Sequence, residues 1–468
     1  LDYSFTSETD SEVLLASYIK WGESCLNHLN GMFSFSIWDD VNKTLFIARD
    51  RMGIKPLYYF KNSKYFIFSS EIRSLIASGL VDKEISREGL VEYLQYQTVH
   101  CPNTILNNVF VLEAGYMAII SNNDNDIEIK KKCYWDMSEK SNKHDDISYE
   151  EAKRIVRNQL SLAVEKRLYS DVSSGAFLSG GIDSSIIVAL MSQASSRKIN
   201  TFNVSFDEKE FSESKYAKII SEKYNTDHTE IKLTSKDFLD SIPLALKDMD
   251  HPSGDGPNSW VVSKYTKDQG ISMALSGLGG DELFGGYPVF NYMYFLKKNS
   301  WVLKTPKFVK NMFKSSLKLT SKNEKAEKFM KILNYSSYNF EELYKIFRLN
   351  YFDTDLSDIL NFPMKDIKKN NIVIADLSNS NKKIISQITA AETQTYMQNI
   401  LLRDSDQMGM AHSLEIRVPF LDHNLVEACL GFDDNLKFSK TPKKLLVDSM
   451  QDLLPNEIYQ RKKMGFTF

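Results

Sequence analysis

Leu178-Ser179-Gly180-Gly181-Ile182-Asp183-Ser184-Ser185 ends a short apolar run, Gly175 to Leu178, and opens a stretch with helical spacing, Ile182 to Gln193. Glycines at a strand-to-helix turn let the backbone bend tightly and approach a ligand. Amides and hydroxyls at the helix start suit a phosphate-type anion. The loop has neither the Gly-Lys-Ser/Thr of a Walker A motif nor Gly-x-Gly-x-x-Gly spacing. A turn whose serines merely cap the helix is the plainer alternative. Asp183 tips the balance, because a carboxylate beside an anion cradle repels the anion unless a cation such as Mg²⁺ joins them. The loop therefore predicts a metal-bridged di- or triphosphate.

Around it the pattern alternates. Strands are expected at Gly175 to Leu178, Asn200 to Phe206, His228 to Leu233 and Ser272 to Ser276, with helices at Ile182 to Gln193 and Ser212 to Tyr224. Upstream, Ser148 with Glu151 forms a capping box for an amphipathic helix carrying Ala152, Ile155, Val156, Leu162, Ala163 and Leu168. A β-α-β-α-β order implies a mainly parallel sheet with helices on both faces. A second glycine-rich loop, Ser276-Gly277-Leu278-Gly279-Gly280-Asp281-Glu282-Leu283-Phe284-Gly285-Gly286-Tyr287, leaves the last of these strands. Ligands in such sheets bind beyond the carboxyl ends of the strands, so Asp281 could offer the same Mg²⁺ a second carboxylate. Read alone, Asp281-Glu282 is a helix-capping pair.

Beyond Trp301 the chain reads as mostly helical, with Lys/Asn-rich helices around Lys304 to Lys331 as solvated faces. A helical C-terminal cluster holds Leu402-Arg403-Asp404-Ser405-Asp406-Gln407 and Glu415-Ile416-Arg417-Val418-Pro419-Phe420-Leu421-Asp422. Arg403 and Arg417 either clamp an anion or make structural ion pairs. Lys443 and Lys444 open a helix after Pro442, either exposed or facing the charge of a leaving group.

The N-terminal part reads as a helix through Val13, Leu14, Ser17, Tyr18 and Trp21, then strands at Met32 to Trp38, Thr44 to Ala48, Leu57 to Phe60 and Tyr65 to Ser69. Asp39 to Lys43 is hairpin-turn chemistry. The polar stretch Ser138 to Asp146 is taken as the boundary, giving domains 1–146 and 147–468. A chain of 468 residues, 42% hydrophobic, is long enough for two or three cored domains. A net charge of −3 provides no global pull toward nucleic acid or an anionic membrane, and neither is expected as a partner. The longest apolar run, Phe110 to Ile120, is broken by Glu113 and falls short of the roughly 20 residues of a membrane span. Cys25, Cys101, Cys133 and Cys429 are scattered, which suits free thiols and a cytoplasmic location. The seven histidines show no ligand spacing, so a zinc site has little support.

With these residues in view, the chain resembles the glutamine-hydrolysing asparagine synthetases. The resemblance is carried by Asp10-Ser11-Glu12-Val13, Gly31-Met32-Phe33-Ser34-Phe35, Ala48-Arg49-Asp50-Arg51-Met52-Gly53-Ile54-Lys55-Pro56-Leu57-Tyr58-Tyr59 and Ser69-Ser70-Glu71. Further on it is carried by the two glycine loops, Arg417 to Asp422, and Arg461-Lys462-Lys463-Met464-Gly465-Phe466. It implies an α/β protein: an αββα glutaminase domain of the N-terminal-nucleophile type, then an adenine-nucleotide α-hydrolase-like parallel-sheet synthetase domain with a helical C-terminal part. The implied ligase uses ATP and Mg²⁺ to convert aspartate to a β-aspartyl-adenylate and then, with ammonia from glutamine, to asparagine. Partners are then small molecules, and a homodimer is allowed.

Residue by residue, the resemblance assigns Ser179, Gly180, Gly181, Asp183, Ser184 and Ser185 to pyrophosphate, and Leu178, Val204, Ser276 and Gly277 to adenosine. It assigns Asp183 and Asp281 to the metal, Lys443 to the leaving pyrophosphate, Asp10 to the glutamine amino group, and Tyr287 and Arg403 to the surroundings of the acyl-adenylate. Three departures stand out. The family's nucleophilic cysteine at the mature N-terminus is absent from this chain, as are the segments expected before Asp10, and Cys25 is no substitute. The expectation is a chain cut at both ends that cannot hydrolyse glutamine but uses free ammonia. Leu278 stands where asparagine-forming members mostly carry an acidic residue, and Val447 where many carry arginine. These leave open another acceptor, such as a sugar uronate, peptide or secondary metabolite, or a catalytically silent homologue.

Overall fold

The computed structural model describes residues 1, 3–123, 126–140, 147–206, 213–320, 324–360, 362–364, 367, 372, 384–439 and 441–461. Most of the expected boundary stretch, and the closing motif after Arg461, lie outside these residues.

After the helix Asp10–Trp21, seven strands form two antiparallel sheets: β1 (Ser34–Asp39), β2 (Thr44–Arg49), β3 (Tyr58–Lys61), β4 (Phe66–Ser69), β5 (Val109–Val111), β6 (Tyr116–Asn123) and β7 (Asp126–Cys133). One sheet runs β1-β2-β6-β7 and the other β4-β3-β5. The β1–β2 turn forms because the Asp39 carboxylate accepts the amides of Val41 and Asn42, both at 2.9 Å, while Lys43 takes a left-handed φ of 51°. The segment after β2 is tied by buried polar groups. Asp50 accepts the amides of Phe33, Met52, Ile54 and Lys55, and Arg49 donates to the carbonyls of Gly53, Lys55 and Leu112. That accounts structurally for the polar residues of the long Ala48 to Tyr59 motif.

The second region opens on the helix Tyr149–Leu168, where the Ser148 hydroxyl accepts the Glu151 amide at 3.2 Å. Its sheet holds β8 (Ser174–Phe177), β9 (Asn200–Phe206), β10 (Asp227–Leu233), β11 (Met273–Leu275) and β12 (Glu415–Arg417) in the order β10-β9-β8-β11-β12. Every neighbouring pair is parallel. The helix Ile182–Ala194 that follows the first glycine loop is apolar nearly all round, with Ile186, Ile187, Val188 and Ala189 fully buried, so it forms the centre of the main core. β12 corrects the reading of the 402–422 cluster as helical. Three residues carry no period of their own, and Glu415–Arg417 becomes a strand only because β11 offers its open edge. The helix before it is also irregular, with a π-helical stretch Thr393–Leu402 between Ile384–Glu392 and Arg403–Met410.

Candidate active site

β8 and β11 are neighbours in register, Ala176 opposite Leu275, so both glycine loops leave the same edge of the sheet side by side. In the first loop Gly180 has φ +71°, and a Cβ there would lie 2.5 Å from the Ala217 amide nitrogen. Only glycine lets the loop press against the helix Ser214–Lys223. The Ser179 and Ser184 hydroxyls are 3.0 Å apart, and the Gly181 amide donates to Ser179 Oγ at 3.2 Å. A Cβ on Gly280 would stand 2.5 Å from Asp183 Oδ1. The second loop is therefore bare where it meets the first loop's carboxylate.

Into this contact comes Lys443, distant in sequence and 6% exposed. Its ammonium pairs with Asp183 Oδ2 and with Asp281 Oδ1, the latter at 2.6 Å. Burial alone would lower its pKa; Asp183 and then Asp281 outweigh that and hold it above the usual lysine range. Its backbone is left-handed, φ +57°, one residue before the helix Lys444–Ser449. A side chain rarely adopts that conformation, which costs roughly 1 kcal/mol and persists only where the surroundings enforce it. Lys444 is exposed and pairs with Asp448.

Glu282, beside Asp281, is 1% exposed and accepts the Tyr287 hydroxyl at 2.8 Å. Burial, with a smaller contribution from Asp281, pushes its pKa up to about 7. Tyr287 meets Tyr396 edge-on at 5.8 Å, and the Arg348 guanidinium lies over both rings. Leu178 is buried with its amide on Phe202 O, Val204 lies on neighbouring β9, and Ser276 and Gly277 begin the second loop. The structure thus brings together the expected residues of both loops with Lys443, and joins Tyr287 to them through Glu282.

Arg403 and Asp10 lie elsewhere. Both border a cavity of about 770 Å³ between the two regions, together with Gly31, Arg49, Lys55 and His251. Arg403 donates to Thr98 Oγ1 and to His251 Nδ1, each at 3.1 Å. Asp404 next to it is pushed by burial up to about 6 despite the Arg403 guanidinium and a Ser253 hydroxyl. Arg417 takes the structural alternative, bonding Glu415 and the carbonyls of Arg167 and Tyr169. Cys25 is a buried thiol of the first core.

Two site residues escaped the sequence reading. Glu282 was legible only as half of an Asp-Glu pair. Arg461 opens a quoted motif but had no assigned role; its guanidinium donates to Gly180 O at 3.1 Å and Glu213 Oε1 at 2.6 Å and lies over the Tyr216 ring.

Among the described residues no group of three or more His, Cys, Asp or Glu side chains could hold a metal unaided. Two carboxylates beside an anion-binding loop are nevertheless what Mg²⁺ needs when substrate phosphates complete its shell. Asp183 and Asp281, already gathered around one cation at Lys443, fit that description.

Comparison with known proteins agrees with this geometry. Residues 155–468 match the family model described as asparagine synthase, and residues 1–135 the one described as glutamine amidotransferase domain. Asparagine synthetase [glutamine-hydrolyzing] 1 of Bacillus subtilis (strain 168) is 31% identical, covering 99% of this chain and 72% of the relative. Asparagine synthetase [glutamine-hydrolyzing] 3 of the same strain is 29% identical, covering 99% and 71%. Amidase chry2 of Gibberella zeae is 25% identical over 99% of this chain and 73% of its own length. With one family model spanning more than half of its residues, and a parallel sheet whose two glycine loops meet over paired carboxylates, the chain belongs to the asparagine synthase family.

Proposed function

We propose that this protein is an ATP-dependent amidotransferase that activates the side-chain carboxylate of aspartate as an acyl-adenylate and amidates it with ammonia derived from glutamine. The observation that carries the reading is Lys443, buried and charged between Asp183 and Asp281 at the meeting point of the two glycine loops. A carboxylate is a poor electrophile until one of its oxygens becomes a good leaving group. In the first step that oxygen attacks the α-phosphorus of ATP and pyrophosphate departs. Ammonia then attacks the acyl carbon, AMP leaves with the C–O bond electrons, and the nitrogen gives up a proton.

The amides and hydroxyls of Ser179, Gly180, Gly181, Ser184 and Ser185 are assigned to the departing pyrophosphate, with the Lys443 charge fixed opposite them. Leu178, Val204, Ser276 and Gly277 are assigned to the adenosine. Asp183 and Asp281 would hold Mg²⁺, which when bound neutralises phosphate charge. Tyr287, buried and bonded to a carboxyl group, orients that side of the site. Asp10 is assigned to the glutamine amino group, and the cavity it borders is the space through which ammonia would enter from the first domain, 1–146, toward the second, 147–468. Arg403 sits in that cavity, so its part is to join the domains and shape the passage rather than to touch the adenylate.

ATP–pyrophosphate exchange tests this directly. Exchange dependent on aspartate, and asparagine formed from added ammonia, are expected. Exchange absent with aspartate but present with a uronate or another acid overturns the acceptor, the result Leu278 would explain, since an aliphatic side chain cannot anchor ammonium. No exchange with any acid overturns the chemistry.

A further inference from the structure

The surface beyond the second glycine loop carries chemistry that the reaction does not use. Residues 292–320 hold seven lysines and no aspartate, glutamate or arginine, in a chain whose net charge is −3. They cover most of the helix Pro288–Lys298, the turn Ser300–Lys304 and the helix Lys307–Thr320. On the last of these the usual amphipathic arrangement is inverted. Lys310 points inward, 7% exposed, with its ammonium on the carbonyls of Leu303 at 2.5 Å and Tyr335 at 2.7 Å. Phe308, Met312 and Phe313 face solvent at 67, 68 and 61% exposure. Phe295 and Trp301, on the two preceding elements, are 66 and 64% exposed. Scattered apolar residues are ordinary on a surface. Five large ones between Phe295 and Phe313, interleaved with exposed Lys297, Lys298, Lys304 and Lys307, mark an interaction face.

We propose that this face docks peripherally on an anionic membrane surface, its aromatic and methionine side chains entering the headgroup–acyl boundary and its lysines pairing with anionic headgroups. Charge selects this occupant over a second copy of the chain. A symmetric contact would bring two sets of lysines together with no carboxylate from this stretch between them, whereas an anionic leaflet offers opposite charge across the whole face. Among the described residues no helix is long and apolar enough to cross a membrane, so the contact is one of adsorption. The proposal revises the reading of these helices as solvated faces and does not depend on the identity of the acceptor.

The test is sedimentation of the full chain with vesicles of phosphatidylcholine, alone or mixed with phosphatidylserine, at low and at raised salt. Binding is expected only with phosphatidylserine. It should weaken with salt and be accompanied by a blue shift of tryptophan fluorescence that Trp301→Phe removes. The triple variant Phe308→Ser/Met312→Ser/Phe313→Ser and the double variant Lys304→Glu/Lys307→Glu should each weaken partitioning on the order of tenfold or more, with circular dichroism unchanged. No binding to either vesicle, or binding to both that neither variant alters, overturns the proposal. Self-association that the triple variant abolishes, without vesicle binding, overturns it as well and gives the face to a second copy.

Discussion

At the scale of the residue, the site is a balance of charges that removing one partner exposes. Lys443→Met leaves Asp183 and Asp281 facing each other with no cation between them. The expected result is a loss of ATP–pyrophosphate exchange of about 10²–10³-fold. A stability loss of roughly 3 kcal/mol, read from urea midpoints, should accompany it, since a buried charge left unpaired costs more than an exposed one. Glu282 gives the opposite sign. Its folded pKa of about 7 lies above the ordinary 4.5, so within that window the folded state keeps a proton that the unfolded chain has lost. Stability therefore falls as pH rises from 4.5 to about 7, and the loss is complete above it. Glu282→Gln removes the ionisation. Urea unfolding without nucleotide should show the variant gaining on the parent between pH 5 and pH 8 by up to roughly 3 kcal/mol; a gap that does not change with pH would refute the assignment. Glu282 was hidden in the sequence because burial is what makes it unusual, and an Asp-Glu pair at a helix start looks the same whether its second member faces solvent or the core.

At the scale of the element, caps and close approaches have different consequences. The helix Tyr149–Leu168 buries Ala152, Val156, Leu160, Ala163 and Val164. Each large buried side chain contributes about 1.5–3 kcal/mol, against about 1 kcal/mol for the Ser148 cap. Ser148→Ala should therefore lower the melting temperature by only ~2–4 °C, measured by calorimetry, and leave exchange unaffected. Gly280→Ala should do the reverse. Its new Cβ, 2.5 Å from Asp183 Oδ1, pushes apart the two loops rather than the core, so exchange is lost while circular dichroism stays that of the parent. The first-region strands and the βαβ elements were legible because their periods and turn residues agree. β12 was not, because a three-residue strand is defined by its neighbour.

At the scale of the whole molecule, the two regions are joined by polar contacts around the cavity. Lys55 and Asp406 pair at 2.8 Å with only 20 and 12% of their side chains exposed. The Cys101 amide donates to Asn399 Oδ1 at 2.9 Å, and Arg403 reaches Thr98. Asp406→Asn strands the Lys55 ammonium in a site whose burial already disfavours it. A loss of about 3 kcal/mol is expected, with thermal unfolding separating into two transitions. The exposed pair of Arg157 and Asp452, 36 and 59% accessible, supplies the control: Asp452→Asn should cost less than about 1 kcal/mol and leave a single profile. Equal effects in the two variants would mean that the Lys55 contact does not couple the regions.

The sequence by itself determined the parallel α/β sheet, the two glycine loops at its carboxyl edge and the carboxylates Asp183 and Asp281, because these depend on local periodicity, turn chemistry and short spacings. It also marked Lys443, though as one of two lysines with no means of choosing between them. Only the tertiary structure buried Lys443 between the carboxylates and left Lys444 at the surface, moved Arg403 away from the nucleotide loops to the cavity, raised the Glu282 pKa, and turned Lys310 inward so that Phe308, Met312 and Phe313 face out. Each of these rests on burial and on partners far away in the chain, and neither is a property of a residue's immediate neighbours.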